Sequence, residues 1–159
     1  MTAEREPTLP PATPAFRRTA RGRADLYRAL VALEQASARP AAGRAPEWME
    51  GVAAALNDLV AEIETHIELT EGANGLYDEI ATTAPRLTHA LDDLRAEHAE
   101  MRTRTRALAE RFETAAREPE PVDELRDAVG QLLGFLVKHR QRGSDLVWQA
   151  YGLDIGGDA

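Results

Sequence analysis

Three histidines carry the most specific chemistry in this sequence. His66 lies in "ETHIELTEG", His98 in "LRAEHAEM" and His139 in "LVKHRQRGSD". A helix advances about 100° per residue, so positions 3, 4, 7 and 11 apart share a face. His66 then falls on a stripe with Val52, Leu56, Leu59 and Ile63. His98 joins Leu87, Leu91, Leu94, Met101 and Phe112, and His139 joins Leu125, Leu132, Leu136 and Leu146. One inward histidine is an ordinary core residue with a hydrogen-bonded ring. Three of them on three different stripes need more partners, because a buried imidazole without them is costly. A metal ion satisfies several at once, neutral imidazole being a good ligand. The remaining histidine, His89, lies nine residues before His98. It points roughly the opposite way and reads as a surface residue.

Oxygen ligands are less well placed. Glu62 precedes His66 by one turn, on the shoulder of the same face. Glu71 follows His66 by five residues, where the helix is ending. Asp145 follows His139 by six, about 120° off its face. The candidate ligand set is therefore His66, His98 and His139, with Glu62, Glu71 or Asp145 completing it. Around His98 the same-face neighbours are Leu94, Arg95, Met101 and Arg102, none of them an ordinary ligand. These arginines suit an anion or a pairing with Glu62.

The elements that must position these residues follow from punctuation and periodicity. Residues 1–22 are rich in Pro, Thr, Ala and Arg without periodicity and read as a disordered arm. A first helix is expected over 23–38, with Leu26, Leu30 and Leu33 inward. Pro46 opens a second that runs to about Thr70 and stops at "EGANG". "LYDEIAT" suits a short bridging turn of helix. Pro85 opens a third long helix to about Arg117, and Pro121 a fourth to about Tyr151. Residues 152–159 are left as a tail after the glycine stop. Four long helices with short connectors predict an all-α, up-and-down antiparallel four-helix bundle over 23–151. Trp148 lies nearly opposite His139 on its helix; the expectation is that it covers the first helix, with a dimer contact as the other reading.

Composition narrows the function classes. The chain has 159 residues, 43% of them hydrophobic, 29% charged and 5% aromatic, which fits one soluble helical domain. It has no cysteine, so disulfides and thiolate chemistry are excluded. A net charge of −8 argues against nucleic acid and against anionic membrane surfaces. No apolar run approaches a membrane span, and the N-terminus lacks the apolar core of a signal peptide. A cytoplasmic location is the resulting expectation. There is no GxSxG, HExxH or P-loop motif, and the expectation is a binding protein and not an enzyme.

Three segments, "ETHIELTEGANGLYDEI", "APRLTHALDDLRAEHAEM" and "LLGFLVKHRQRGSDLVWQAYGLDIGG", together resemble the hemerythrin-like (HHE cation-binding) family. The shared features are an inward His near the end of one helix, an "EH" within the next, and a His followed by an Asp in the last. The resemblance implies an up-and-down four-helix bundle and a non-haem di-iron centre held by histidines and bridging carboxylates. It also implies a role in binding or sensing oxygen, in sensing redox state or nitric oxide, or in handling iron. Leu26, Leu30 and Leu33 stand where a first-helix histidine would be, and Thr70 and Arg102 where further ligands would be. The implied ligand set is thus reduced. Two readings stay open: a metal site at the histidines, with iron expected and zinc or manganese also suited, and a metal-free bundle acting as an interaction or regulatory module.

Overall fold

A computed structural model describes residues 13–152. Helix α1 spans Pro14–Ala38, α2 Ala45–Glu71, the short α3 Leu76–Thr83, α4 Thr88–Ala115 and α5 Val122–Tyr151. A single 3₁₀ turn, Pro85–Leu87, leads into α4. No strand occurs among the described residues. The long helices have 25, 27, 28 and 30 residues, so each runs about 40 Å at 1.5 Å per residue. They pack as a ring in the order α1, α2, α4, α5 and back to α1, with α3 crossing one end. This is the expected antiparallel four-helix bundle.

The first helix starts nine residues earlier than its periodicity predicts. Residues 14–22, expected to belong to an irregular arm, are helical. Their contacts come from one isolated aromatic, Phe16, and from small and polar groups that a search for periodic apolar residues passes over. Thr13 caps the helix by accepting from the Phe16 amide at 3.2 Å and donates to Glu79 of α3 at 2.8 Å. The Phe16 ring meets Tyr151 of α5 edge-on at 5.2 Å. Thr19 is buried, and a Cβ on Gly22 would lie 2.4 Å from Leu69 of α2. A side chain at Gly22 would make the terminal methyl of Leu69 shift. Residues 1–12 of the expected arm, and 153–159 of the expected tail, lie outside the described residues.

The core has two parts. The larger joins Leu26, Leu30 and Leu33 of α1, Leu56, Leu59 and Ile63 of α2, Phe112 of α4, and Leu125 and Leu136 of α5. The smaller gathers Leu76, Tyr77 and Ile80 of α3 with Leu87, Leu91, Leu94 and Leu146. The α4 and α5 histidine stripes run from one part to the other, the α2 stripe belongs to the larger part, and His98 and His139 lie between the two. Trp48 closes the far end, its indole N–H donating to the Ser37 carbonyl at 3.1 Å. Trp148 is 62% exposed, so it does not cover α1 as expected. No helix among the described residues is long and apolar enough to cross a membrane.

Candidate metal centre

Helix period alone brings His66, His98 and His139 inward, and the ring order of α2, α4 and α5 brings them together. All three are buried, at 6%, 1% and 3% exposure. Their Nε2 atoms form a small triangle. His66 to His98 is 3.1 Å, His98 to His139 is 3.1 Å and His139 to His66 is 3.4 Å. The rings meet edge to face with centroids 4.7–5.6 Å apart. Among the described residues this is the one group of three ligand-type side chains that converges.

The outer nitrogens are held by carboxylates. His98 Nδ1 lies 2.8 Å from Glu71 Oε2, and His139 Nδ1 lies 2.9 Å from Glu97 Oε2. Glu97 is itself paired with Arg142 on its other oxygen. An ionised carboxylate only accepts, so both Nδ1 atoms carry the proton. The Nε2 atoms of His98 and His139 are then bare lone pairs facing each other. His66 can donate through its Nε2 to one of them, but nothing in the triangle donates to both. A positive charge at the centre of the triangle would meet all three Nε2 atoms at once.

Protons do not supply it readily. Burial holds the His66 imidazole down to about 3, with the charges of His139 and Arg23 acting in the same direction. Burial likewise holds His98 down to about 2, reinforced by His66 and His139. At His139 burial outweighs the bond to Glu97, and the pKa is again lowered. The ion-pair geometry at His98 and the direction of its shift pull opposite ways. Burial decides it, because the ring is sealed inside the bundle while Glu71 keeps a quarter of its side chain exposed. Glu71 itself is raised by burial, against the pull of Arg95 and Arg102. Tyr77 stacks on the His98 ring at 5.6 Å with its hydroxyl 3.4 Å from His98 Nε2, and burial raises its phenol far above the ordinary range.

The donor set fits a metal ion. Three nitrogens 3.1–3.4 Å apart match ligands about 2.0–2.1 Å from one centre at angles of about 95–116°. Carboxylates on the opposite ring nitrogens are the usual partners that fix the tautomer of ligating histidines.

The acidic residues expected to complete the ligand set lie elsewhere. Glu71 touches the outer nitrogen of His98 and is not part of the converging group. Glu62 is half-buried and makes no hydrogen bond or ion pair with the histidines among the described residues. Asp145 is exposed and accepts from Gln141 at 3.0 Å. Arg102 pairs with Glu64 at 2.6 Å, not with Glu62, and Arg95 pairs with Asp92 at 2.9 Å. His89 is exposed, as expected. Glu97 escaped the sequence reading. It neighbours His98 in the chain but serves His139 on the next helix, a contact across helices that periodicity along one helix does not encode.

Comparison with known proteins yields one match. The family model described as the Hemerythrin HHE cation binding domain covers residues 19–142. No curated protein and no solved structure matches the chain.

Proposed function

The chain belongs to the hemerythrin HHE cation-binding domain family, and from that membership we propose that it holds a single transition-metal ion at Nε2 of His66, His98 and His139. Iron is the ion we assign, with zinc and manganese as the alternatives that a test must separate. The role we assign is binding: sensing of oxygen, redox state or nitric oxide, or handling of iron. The observation that carries this reading is the convergence of three Nε2 atoms, two of them with lone pairs fixed inward by Glu71 and Glu97.

One ion and not two follows from the donor count. No carboxylate joins the three converging nitrogens among the described residues, so nothing there bridges a pair of ions. A bound ion of this kind supplies an open coordination position and, if iron, a one-electron couple. The protein's own groups do the rest. Glu71 and Glu97 hold each ring in one tautomer and one orientation. Arg142 pairs with the other Glu97 oxygen and holds that carboxylate in place. The flanking apolar stripes exclude bulk water. The alternative, a metal-free bundle, would rest on donation from the Tyr77 hydroxyl to His98 Nε2 and from His66 Nε2 to His139 Nε2, both at 3.4 Å and at the long limit of hydrogen bonding, which weighs against it.

The test is metal content after expression in medium supplied with iron, zinc and manganese. About one ion per chain, lost on replacing His98 with Ala in a protein that keeps its helical circular dichroism, is the expected result. No ion above background in any of the three media refutes the proposal.

A further inference from the structure

The outer face of α5 has no partner within the chain. The helix packs on α1 and α4, and its opposite side carries Asp127, Gly130, Gly134, Val137, Lys138 and Trp148, whose spacing puts them on one face. Val137 is 58% exposed and Trp148 62%; they are two of the three large hydrophobic side chains exposed among the described residues. Gly130 and Gly134 lie between the acidic start of the helix and these two. Glycine weakens a helix interior, and a Cβ at either position would meet no atom within 4 Å, so nothing inside the chain calls for it. The charges of α5 are segregated along its length. Asp123, Glu124 and Asp127 stand at its start, and Lys138, Arg140 and Arg142 follow in its second half. Asp145, beyond them, is engaged by Gln141. Asp127 and Lys138 are both exposed and make no ion pair among the described residues.

We propose that this face pairs with the same face of a second copy of the chain, the two α5 helices running antiparallel and crossing at Gly130 and Gly134. The order of charges selects both the occupant and the direction. A parallel pair would set Asp123, Glu124 and Asp127 against their own copies, and like charges repel. An antiparallel pair with its two-fold axis between residues 132 and 133 sets Asp127 of each copy against Lys138 of the other, because the two positions are equally far from that axis. The contact then closes on itself with two equal ion pairs. The glycines fall beside the axis, where the two backbones come nearest and a missing side chain is useful. Trp148 reaches past the start of the other α5 to the connection before it, where Pro119 and Pro121 are exposed. An aromatic anchor toward each end, with a charge pair on either side of the centre, suits a specific interface. The inference holds with or without an ion at the histidines.

Sedimentation equilibrium of the full chain, from micromolar to millimolar concentration, tests this. A dimer of twice the 17.4 kDa chain is expected. Trp148→Ala and Lys138→Glu should each raise the dissociation constant by about tenfold or more. Asp127→Lys combined with Lys138→Glu swaps the charges and should recover most of the loss. All three side chains are exposed, so the helical circular dichroism should stay as it is. Lys138 is the only lysine in the chain. A carbodiimide, which joins an amine to a carboxylate without a spacer, therefore reads the register directly. Within one chain Asp127 and Lys138 are 11 residues apart on a single helix, a separation of about 16 Å that no such bond can span. An amide between them forms only across two copies, and that cross-linked peptide is expected from the dimer band. A chain that stays monomeric at millimolar concentration leaves the face to a different protein and overturns the proposal. So does a dimer that neither Trp148→Ala nor Lys138→Glu weakens, or one whose Lys138 cross-links avoid the acidic start of α5.

Discussion

Acidifying the metal-free protein should weaken it steeply in a pH range where most proteins are still near their optimum. His66 and His98 stay neutral inside the bundle, held down to about 3 and about 2, while in the unfolded chain they titrate near the ordinary histidine value. The folded pKa is the lower one, so the unfolded chain binds more protons below about pH 6.5. Stability is therefore complete above that pH and is lost as pH falls. Each such histidine costs about 1.4 kcal/mol per pH unit in that window. Two of them between pH 6.5 and 5 cost about 4 kcal/mol, a large share of a typical total of roughly 5–15 kcal/mol. His139 adds to this by a smaller amount, because Glu97 favours its charged form. Glu71, raised by burial, works in the opposite direction further down the acid range, so the window is best kept above pH 5. The assay is urea denaturation in the presence of a chelator at half-unit steps from pH 7.5 to 5. His66→Leu removes one of the two main contributions and should reduce the slope by about half. A wild-type free energy that changes by less than about 1 kcal/mol over that range would refute the claim that these imidazoles are buried and neutral.

Other consequences are simpler to read. Glu97→Gln should lower metal affinity by roughly 10–100-fold, because it loosens the His139 ring without removing a ligand; competition with a chromophoric chelator measures it, and an unchanged affinity would mean that Glu97 does not orient the ring. Leu56→Ala, at a fully buried position of the larger core, should cost about 3–5 kcal/mol in urea denaturation and leave one ion per chain. Deleting residues 1–22 should lower the melting temperature, since it removes the Thr13 cap, the Phe16–Tyr151 contact and the buried Thr19; an unchanged melting temperature would show that this turn of α1 contributes nothing.

The fold and the three inward histidines were readable because both follow from one period. Leucines at helical spacing fix the face, and a histidine on that face goes inside with them. Proline and glycine at 46, 85, 121 and 152 then mark the ends to within a few residues. What escaped depends on contacts between helices. The start of α1 is held by Phe16, a single aromatic without a periodic partner, and by Thr13, Thr19 and Gly22, whose small or polar side chains give no hydrophobic signal. Glu97 stands about 100° around its helix from His98, which looks wrong for a partner of that ring. It is right for His139, but only once α4 and α5 are set side by side. Glu62 and Asp145 are close to a histidine in sequence only. The helix turns Asp145 outward to Gln141, and no bond links Glu62 to the triangle among the described residues.

X-ray absorption at the metal edge, on protein purified with its ion, tests the central claim most directly. The account predicts about one ion per chain, with imidazole nitrogens about 2.0–2.2 Å away and multiple-scattering features from three rings. That signal should fall by one ring in His66→Ala. Two ions per chain with a short metal–metal vector, or a shell of oxygens without imidazole, would contradict it.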